Sequence, residues 1–313
     1  MPLKHIIGID IGGTKCAVSL GAVDDAAGNC EILRKMDFPT AEQGGAPSAV
    51  AKLLRTAYGY IRDSRGKGMR IDAIGISCGG PLDSKTGTIL SPPNLPDWDD
   101  IHIKDIFYKE FNLPVKVQND ANACALAEWR YGAAKGYSDV IFLTFGTGMG
   151  AGLILGGRLY SGANDMAGEV GHIRLAEDGP VGYGKAGSFE GFCSGGGIPR
   201  LAAFLYPGDK RFESISTRKL AVLVAAGDES AAGVFKESGK YLGRGISTLI
   251  DILNPEMIVI GSIFERSGEL LIPEMQKEIE REAVARSRGA CVIVPAALGD
   301  KLGDYAAVAV GAY

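Results

Sequence analysis

One local plan occurs twice in the chain, and this repetition constrains the fold more than any other feature of the sequence. Residues 6–9 are apolar, a turn of glycine and threonine follows at 12–14, and a second apolar run extends to residue 20. Residues 140–155 repeat this order around a second turn at 146–150. Short apolar runs bounded by turn residues favour buried strands. We therefore predict two related halves that face each other across a cleft, each offering one glycine-rich turn.

Strand and helix patterns alternate between and after the two turns. Apolar residues recur at helical spacing in 47–65, 103–111, 123–131, 229–253 and 269–285, and buried-strand runs occupy 71–77, 115–117, 257–260 and 292–294. Such alternation is typical of an α/β layer architecture. Two segments, 81–100 and 157–198, fit neither pattern, and we predict loops there. A loop as long as the second is usually functional.

Composition argues against several classes of protein. Hydrophobic residues make up 46% of the 313 residues, which is enough for the cores of two domains. The formal net charge of -4 leaves no basic stripe for a nucleic-acid backbone. The chain has no signal-like segment and no apolar stretch long enough for a bilayer. Its six cysteines lack paired spacing, so we expect a protein of the reducing cytoplasm.

Both glycine-rich turns are candidates for phosphate binding. In the first, Gly12 and Gly13 let backbone N–H groups approach an anion, while Thr14 and Lys15 add a hydroxyl and an ammonium group. Asp10, at the end of the preceding strand, can hold Mg²⁺ directly or through water. This is not the P-loop pattern, which needs Gly-Lys-Ser/Thr at the start of a helix. Each turn alone is most often only a turn, but two at matching places favour phosphate binding.

Asn119 and Asp120 lie between an extended run and a helical run. Either side chain can cap the helix by accepting a backbone hydrogen bond in its first turn. The positive end of the helix dipole would favour the ionised form of Asp120.

Four other polar residues lie in segments predicted as loops. Glycines flank Glu169 and His172, and a carboxylate with an imidazole can bind a polyol. Alternatively these two are a solvated carboxylate and a surface histidine. Glu190 reads by default as a solvated charge and Asn94 as a loop amide between prolines.

Taken in order, five segments resemble the motifs of the ROK family (repressor, open reading frame, kinase) of sugar kinases. They are Asp-x-Gly-Gly-Thr-Lys from residue 10, Asn-Asp-Ala-Asn from 119, Phe-Gly-Thr-Gly-x-Gly from 145, Gly-Glu-x-Gly-His from 168 and Leu-Asn-Pro-Glu-x-Ile-Val-Ile-Gly from 253. The resemblance covers nearly the whole chain. It implies an actin-like, hexokinase-type ATPase fold with two related α/β domains. We expect these domains at 1–118 with 301–313, where the last helix returns to the first domain, and at 119–300.

The resemblance also implies ATP with Mg²⁺ in the cleft and assigns roles to matching positions. Asp10 matches the Mg²⁺ aspartate, and Asp120 matches the catalytic base. The cofactor-binding positions are Gly12, Gly13, Thr14, Lys15, Thr147, Gly148 and Gly261. The sugar-binding positions are Asn94, Asn119, Asp120, Glu169, His172 and Glu190. The implied reaction transfers the γ-phosphoryl group of ATP to a hydroxyl, expected to be the 6-hydroxyl, of a hexose or N-acetylhexosamine. Family habit implies a homodimer.

One departure from the family concerns zinc. After Gly-His the family usually carries three cysteines, whose thiolates bind a structural Zn²⁺ together with the histidine. Here Val181, Tyr183 and Ser188 occupy those three positions. Because His172 without thiolates cannot form a tetrahedral zinc site, we predict that no zinc is bound. We expect apolar packing of Val181, Tyr183 and Phe189 to hold the loop instead, and a protein group to fix the tautomer of His172.

Two alternatives to a kinase stay open. The family includes sugar-responsive transcriptional repressors with an N-terminal helix-turn-helix domain, but here a predicted strand begins within five residues of the N-terminus. The second alternative is a catalytically inactive sugar-binding protein, although every phosphate and base position is filled. Glucose, mannose, fructose and N-acetylhexosamines all remain candidate acceptors, and a donor other than ATP also stays open.

Overall fold

Two five-stranded sheets organise the described residues, 3–41 and 44–313, of this computed structural model. The strands are β1 Lys4–Ile11, β2 Lys15–Asp24, β3 Asn29–Pro39, β4 Ala73–Cys78, β5 Leu82–Asp83, β6 Thr88–Ile89, β7 Ile101–His102, β8 Val115–Asn119, β9 Val140–Phe145, β10 Met149–Leu155, β11 Arg158–Tyr160, β12 Val181–Gly182, β13 Lys185–Ala186, β14 Met257–Ile260 and β15 Val292–Pro295. One large sheet has the order β3-β2-β1-β4-β8, and the other has the order β11-β10-β9-β14-β15.

The two large sheets share one topology. In the first, β1, β2 and β3 pair antiparallel, and β4 and β8 extend the sheet in parallel with β1. In the second, β9, β10 and β11 pair antiparallel, and β14 and β15 extend it in parallel with β9. This correspondence is what the repeated sequence plan predicts.

The helices cover the two sheets and bury their apolar faces. They are α1 Ala46–Gly66, α2 Ile103–Phe111, α3 Asp120–Tyr131, α4 Phe189–Cys193, α5 Gly197–Leu205, α6 Thr217–Ala225, α7 Glu229–Leu253, α8 Ile263–Glu282, α9 Ala285–Ala290 and α10 Leu302–Ala312. In the described part of the chain, no helix is both long enough and apolar enough to cross a membrane.

The C-terminal helix α10 returns to the first sheet, as the sequence predicts. Its Val308 and Ala312 form a buried cluster with Ile6 and Ala73, which lie on the parallel strands β1 and β4. Small side chains allow a helix to approach a sheet closely, and α10 is rich in alanine. The helix therefore carries its first turn toward the end of β1, where Asp10 lies.

Three sequence predictions about secondary structure are wrong. Segment 157–198 is not all loop, because it contains β11, β12, β13 and α4. Segment 81–100 is not all loop, because β5 and β6 pair there and β7 completes a small antiparallel sheet. Strands of two residues are too short to show a period in the sequence. Helix α8 begins at Ile263 instead of 269, because the Glu265 carboxylate accepts a 2.6 Å hydrogen bond from the Ser262 N–H and so caps the earlier start.

Candidate active site

A cavity of about 290 Å³ opens where β1, β4 and β8 end. In α/β sheets, ligands usually bind outside the carboxyl ends of the parallel strands. Of the predicted site residues, Asp10, Gly12, Gly13, Asn94 and Asp120 line this cavity. The first glycine-rich turn, the proline-rich loop and the start of α3 therefore meet at one place.

Asp10 carries a strongly perturbed carboxyl group. Burial raises its pKa to about 7, and the nearby carboxylates of Asp120 and Asp304 act in the same direction. Lys15 and Lys35 oppose that rise. A cation placed beside such a carboxyl group would stabilise its ionised form.

Asn119 and Asp120 occupy the N-terminus of α3. Asn119 is the N-cap, and its Oδ1 accepts a 2.7 Å hydrogen bond from the Asn122 N–H. Asp120 is the first helical residue, and its Oδ1 accepts a 2.8 Å hydrogen bond from the Ala121 N–H. Asp120 is exposed to the cavity, yet desolvation by the protein around it raises its pKa above the usual value. The backbone N–H groups at the helix terminus lower the pKa, as predicted, but desolvation has the larger effect and the net pKa is raised.

The glycine-flanked segment 168–172 lies next to Asp120. Burial raises the pKa of Glu169, His172 lowers it, and Asp120 and Glu190 raise it further. These four predicted sugar-binding residues therefore influence one another electrostatically, and Glu190 lies against the same segment, 3.3 Å from where a Cβ at Gly171 would be. Gly168 permits the approach: its φ is +94°, and a Cβ there would lie 2.0 Å from the Ala151 carbonyl oxygen on β10.

Glu190 connects this group to the second glycine-rich turn. It lies in the first turn of α4, and its Oε2 accepts a 3.1 Å hydrogen bond from the Met149 N–H. The Thr147 carbonyl in the same turn accepts a 3.0 Å hydrogen bond from the Gly196 N–H. Glu190 is thus a partly buried, hydrogen-bonded carboxylate instead of the solvated charge of the default reading.

Five predicted cofactor residues lie outside the cavity lining: Thr14, Lys15, Thr147, Gly148 and Gly261. Thr14 and Lys15 are exposed on the first turn, beside Asp10. Gly261 lies at the end of β14 in the second sheet, where its N–H donates a 3.0 Å hydrogen bond to the Leu143 carbonyl. The second turn, with Thr147 and Gly148, joins β9 to β10 of that sheet.

The prediction that apolar packing holds the 172–190 loop is largely wrong. Val181 is 48% exposed and Tyr183 is 59% exposed, because β12 and β13 form a surface hairpin. Phe189 alone is buried as predicted. The side chains of Val181, Tyr183 and Ser188 are not zinc ligands of the thiolate type. Within residues 3–41 and 44–313, no three His, Cys, Asp or Glu side chains form a group that could hold a metal ion. That no zinc is bound stays a prediction, which stoichiometric Zn²⁺ in a metal analysis of the purified protein would overturn.

Sequence reasoning did not identify Asp304, a buried carboxylate on α10. It accepts a 3.1 Å hydrogen bond from the Ser19 hydroxyl and pairs with the Lys35 ammonium at 2.8 Å. Its neighbour Gly303 lines the cavity and packs against Asp10. The available signal was an acidic residue within an otherwise apolar, alanine-rich helix.

A hydrogen-bonded bridge connects the two halves of the chain. Asp165, in the loop before Glu169, accepts hydrogen bonds from both the backbone N–H and the hydroxyl of Ser84, each at 2.8 Å. Ser84 follows β5 in the first half. The bridge therefore joins the small three-stranded sheet to the loop that carries Glu169.

Comparison with known proteins places these features in one family. The ROK family profile matches residues 6–311. A glucokinase of Halalkalibacterium halodurans is 34% identical over 316 residues, which cover 96% of this chain and 92% of that protein. A ROK hexokinase from Thermus thermophilus is 31% identical, with a TM-score of 0.81 and 98% of both chains covered. A ROK family glucokinase from Streptomyces griseus, solved in complex with glucose and AMPPNP, is 31% identical, with a TM-score of 0.74 and 99% of both chains covered.

Transcriptional regulators match over a smaller share of their length. The xylose repressor of Caldicellulosiruptor bescii is 31% identical over 245 residues, which cover 74% of this chain and 61% of the repressor.

Proposed function

This chain belongs to the ROK family, and from that premise we propose that it is a glucokinase-like sugar kinase that transfers the γ-phosphoryl group of ATP to a hexose or N-acetylhexosamine. The observation that carries the proposal is the match to glucokinases and a ROK hexokinase over nearly the full length of both partners. The same matches confirm the predicted actin-like ATPase fold with two α/β domains.

Asp120 is the proposed general base. An oxygen of the sugar, expected to be that of the 6-hydroxyl, attacks the γ-phosphorus, the bond to the bridging oxygen of ADP breaks, and the proton passes to Asp120. The raised pKa makes this carboxyl a better proton acceptor than an exposed aspartate. Because the transition state of phosphoryl transfer is largely dissociative, aiming the oxygen matters as much as removing its proton.

The remaining sugar contacts surround Asp120. We assign them to Asn94, Asn119, Glu169, His172 and Glu190. Since the Oδ1 of Asn119 already caps α3, its amide N–H₂ is the group left for a sugar oxygen. Glu190 also holds the Met149 N–H, so it couples the sugar site to the second turn. Positioning of this kind can account for about 7–11 kcal/mol of a barrier at best.

The phosphate groups of ATP bind between the two turns in this proposal. Gly12, Gly13, Thr14 and Lys15 act from the first turn, Thr147 and Gly148 from the second, and Gly261 on the nucleoside side. Gly13 must lack a side chain, because a Cβ there would lie 2.4 Å from the Asn94 carbonyl oxygen. The loop of the proposed sugar contact thus packs directly against the phosphate turn.

The metal proposed to accompany ATP is Mg²⁺, held by Asp10 directly or through water. Asp10 fits this role because it is a hard oxygen donor facing the cavity, and Mg²⁺ usually takes few protein ligands while it keeps waters and phosphate oxygens. When bound, the ion neutralises charge on the phosphates. Lys15, beside Asp10, adds a positive charge to the same region.

The proposal also covers the domain boundaries, the oligomeric state and the location of the protein. We assign residues 1–118 with 301–313 to one domain and 119–300 to the other, because each five-stranded sheet falls within one part apart from the last residue of β8. We expect a homodimer, which light scattering during size-exclusion chromatography measures. We expect a cytoplasmic location, and all six cysteines, each in the described part of the chain, are free thiols.

A coupled assay of ADP release tests the proposed function. The wild-type protein is offered Mg-ATP and each of glucose, mannose, fructose, N-acetylglucosamine and N-acetylmannosamine. We expect sugar-dependent turnover with at least one of them, and no turnover on any sugar would refute the proposal. Sugar binding without turnover would favour the inactive or regulatory alternative, for which the repressor similarity is the supporting observation.

A further inference from the structure

The hairpin formed by β12 and β13 has a constrained turn. Val181 pairs with Ala186 and Gly182 with Lys185, so Tyr183 and Gly184 form a two-residue connection. Their φ angles are +47° and +76°, as in a type I′ turn. Asparagine or glycine usually fills the first position, because other side chains resist positive φ. A tyrosine there needs a reason outside the turn.

The ring of Tyr183 contacts the imidazole of His172. The two ring centroids are 4.6 Å apart and the planes meet at 84°, an edge-to-face arrangement. Within residues 3–41 and 44–313, neither ring nitrogen of His172 has a hydrogen-bond partner. The aromatic contact is therefore the interaction that restrains the imidazole while both nitrogens stay available to a ligand.

A second side chain of the hairpin holds the backbone of the same residue. The Lys185 ammonium donates a 2.7 Å hydrogen bond to the His172 carbonyl oxygen. Tyr183 and Lys185 thus reach the side chain and the main chain of His172 from one small hairpin. The Ser188 hydroxyl anchors that hairpin by donating to the Gly182 carbonyl at 3.2 Å and by accepting from the Gly191 N–H at 3.1 Å.

We propose that Tyr183 and Lys185 are positioning residues that fix the orientation of His172 for the sugar. This inference rests on the proposed function for the identity of the ligand. Among the ionisable neighbours of Glu169, His172 has the largest effect on the pKa of that carboxyl, so we assign both residues to one sugar-binding site. A freely rotating imidazole would lose part of its contribution to sugar binding, while ATP binding on the turns would be unaffected.

The decisive variant is Tyr183→Asn. Asparagine followed by Gly184 suits a type I′ turn better than tyrosine does, so this change keeps or strengthens the hairpin while it removes the ring. We expect the KM for the best sugar of the wild type to rise by about 3- to 10-fold, the size expected for an aromatic contact. The KM for ATP should stay within about twofold, since the contact lies on the sugar side.

Two further variants separate the contributions. Tyr183→Phe keeps the ring and should retain the wild-type KM for the sugar. Lys185→Met keeps the aliphatic stem but removes the hydrogen bond to the His172 carbonyl, and it should raise the sugar KM in the same direction as Tyr183→Asn. A double variant should show less than the sum of the two effects, because both residues act through His172.

The imidazole signals give a readout that does not need turnover. The chain has three histidines, so the Cε1 proton of His172 can be assigned with a His172→Gln variant. In the wild type, the Tyr183 ring should shift this signal away from the position of a free histidine. The shift should vanish in Tyr183→Asn and persist in Tyr183→Phe.

Each result decides one claim. An unchanged His172 signal in Tyr183→Asn refutes the positioning role, whether or not the wild type is a kinase. An unchanged sugar KM in Tyr183→Asn refutes its importance for the sugar. If the wild type phosphorylates no sugar, the proposed function fails, and the His172 signal still decides whether Tyr183 orients the ring.

Discussion

Replacement of Glu128 by glutamine should destabilise the protein more than its single-atom change suggests. Glu128 is fully buried in α3, the helix that begins with Asp120. Its Oε2 accepts a 2.8 Å hydrogen bond from the Ala133 N–H. Its Oε1 accepts two more, from Ala297 at 3.0 Å and Leu298 at 2.9 Å. One carboxylate therefore ties α3 to the segment that leads into α10.

The size of the effect follows from these three bonds. Glutamine offers one acceptor oxygen, so in its better orientation it keeps two weakened bonds and points an N–H₂ group at the third N–H. Loss of the charge costs about 1 kcal/mol per retained bond, and an unpaired buried N–H costs about 1–3 kcal/mol. We expect Glu128→Gln to lower the free energy of unfolding by about 3–5 kcal/mol, a large share of the stability of an ordinary domain.

Urea unfolding followed by circular dichroism measures this change. Glu274→Gln is the matched control, because that carboxylate pairs with Lys277 on the surface of α8, where about 0–1 kcal/mol is expected. A loss below about 0.5 kcal/mol in Glu128→Gln would contradict the reasoning. It would mean that water or another group takes over the three N–H donors.

Three further predictions concern the cavity and the Ser84–Asp165 bridge. Gly13→Ala should raise the KM for ATP by about tenfold or more, because the added Cβ would displace Asn94. Steady-state kinetics at saturating sugar measures this KM, and an unchanged value would contradict the close packing. Because the pKa of Asp10 is raised to about 7, protons compete with Mg²⁺ for this carboxylate below that pH. The kcat/KM for Mg-ATP should therefore rise between pH 6 and 8 with a midpoint near 7. A flat profile over this range would exclude Asp10 as the controlling group. Ser84→Ala removes the hydrogen bond from the Ser84 hydroxyl to Asp165 and should lower the free energy of unfolding by about 0.5–1.5 kcal/mol, measured by thermal unfolding. The control is Ser138→Ala, because Ser138 is exposed.

Sequence reasoning was most successful for residues placed at the end of a strand or the start of a helix. Asp10 lies at the end of a strand, Asp120 follows another strand and begins a helix, and parallel strands end at one edge of a sheet. Residues at the ends of parallel strands, although distant in the sequence, therefore line one cavity. The repeated strand plan likewise predicted two sheets of one topology.

The failures come from contacts between distant parts of the chain. Asp304 lies 285 residues from Ser19, and only the return of α10 brings the two together. The raised pKa of Asp120 depends on desolvation by the protein around the cavity, whereas the sequence shows only its favourable place at a helix terminus. Tyr183 was expected in an apolar cluster, because the sequence does not show that its turn is exposed and directed at His172.

The most direct test of the central claim is the turnover of Asp120→Asn on the best sugar of the wild type. Asparagine keeps the size of the side chain and can still contact a hydroxyl, but it cannot accept the proton. We expect kcat to fall by about 10²- to 10⁴-fold while the sugar dissociation constant, measured by calorimetry, changes by less than about threefold. A variant that turns over within tenfold of the wild type would show that Asp120 is not the base.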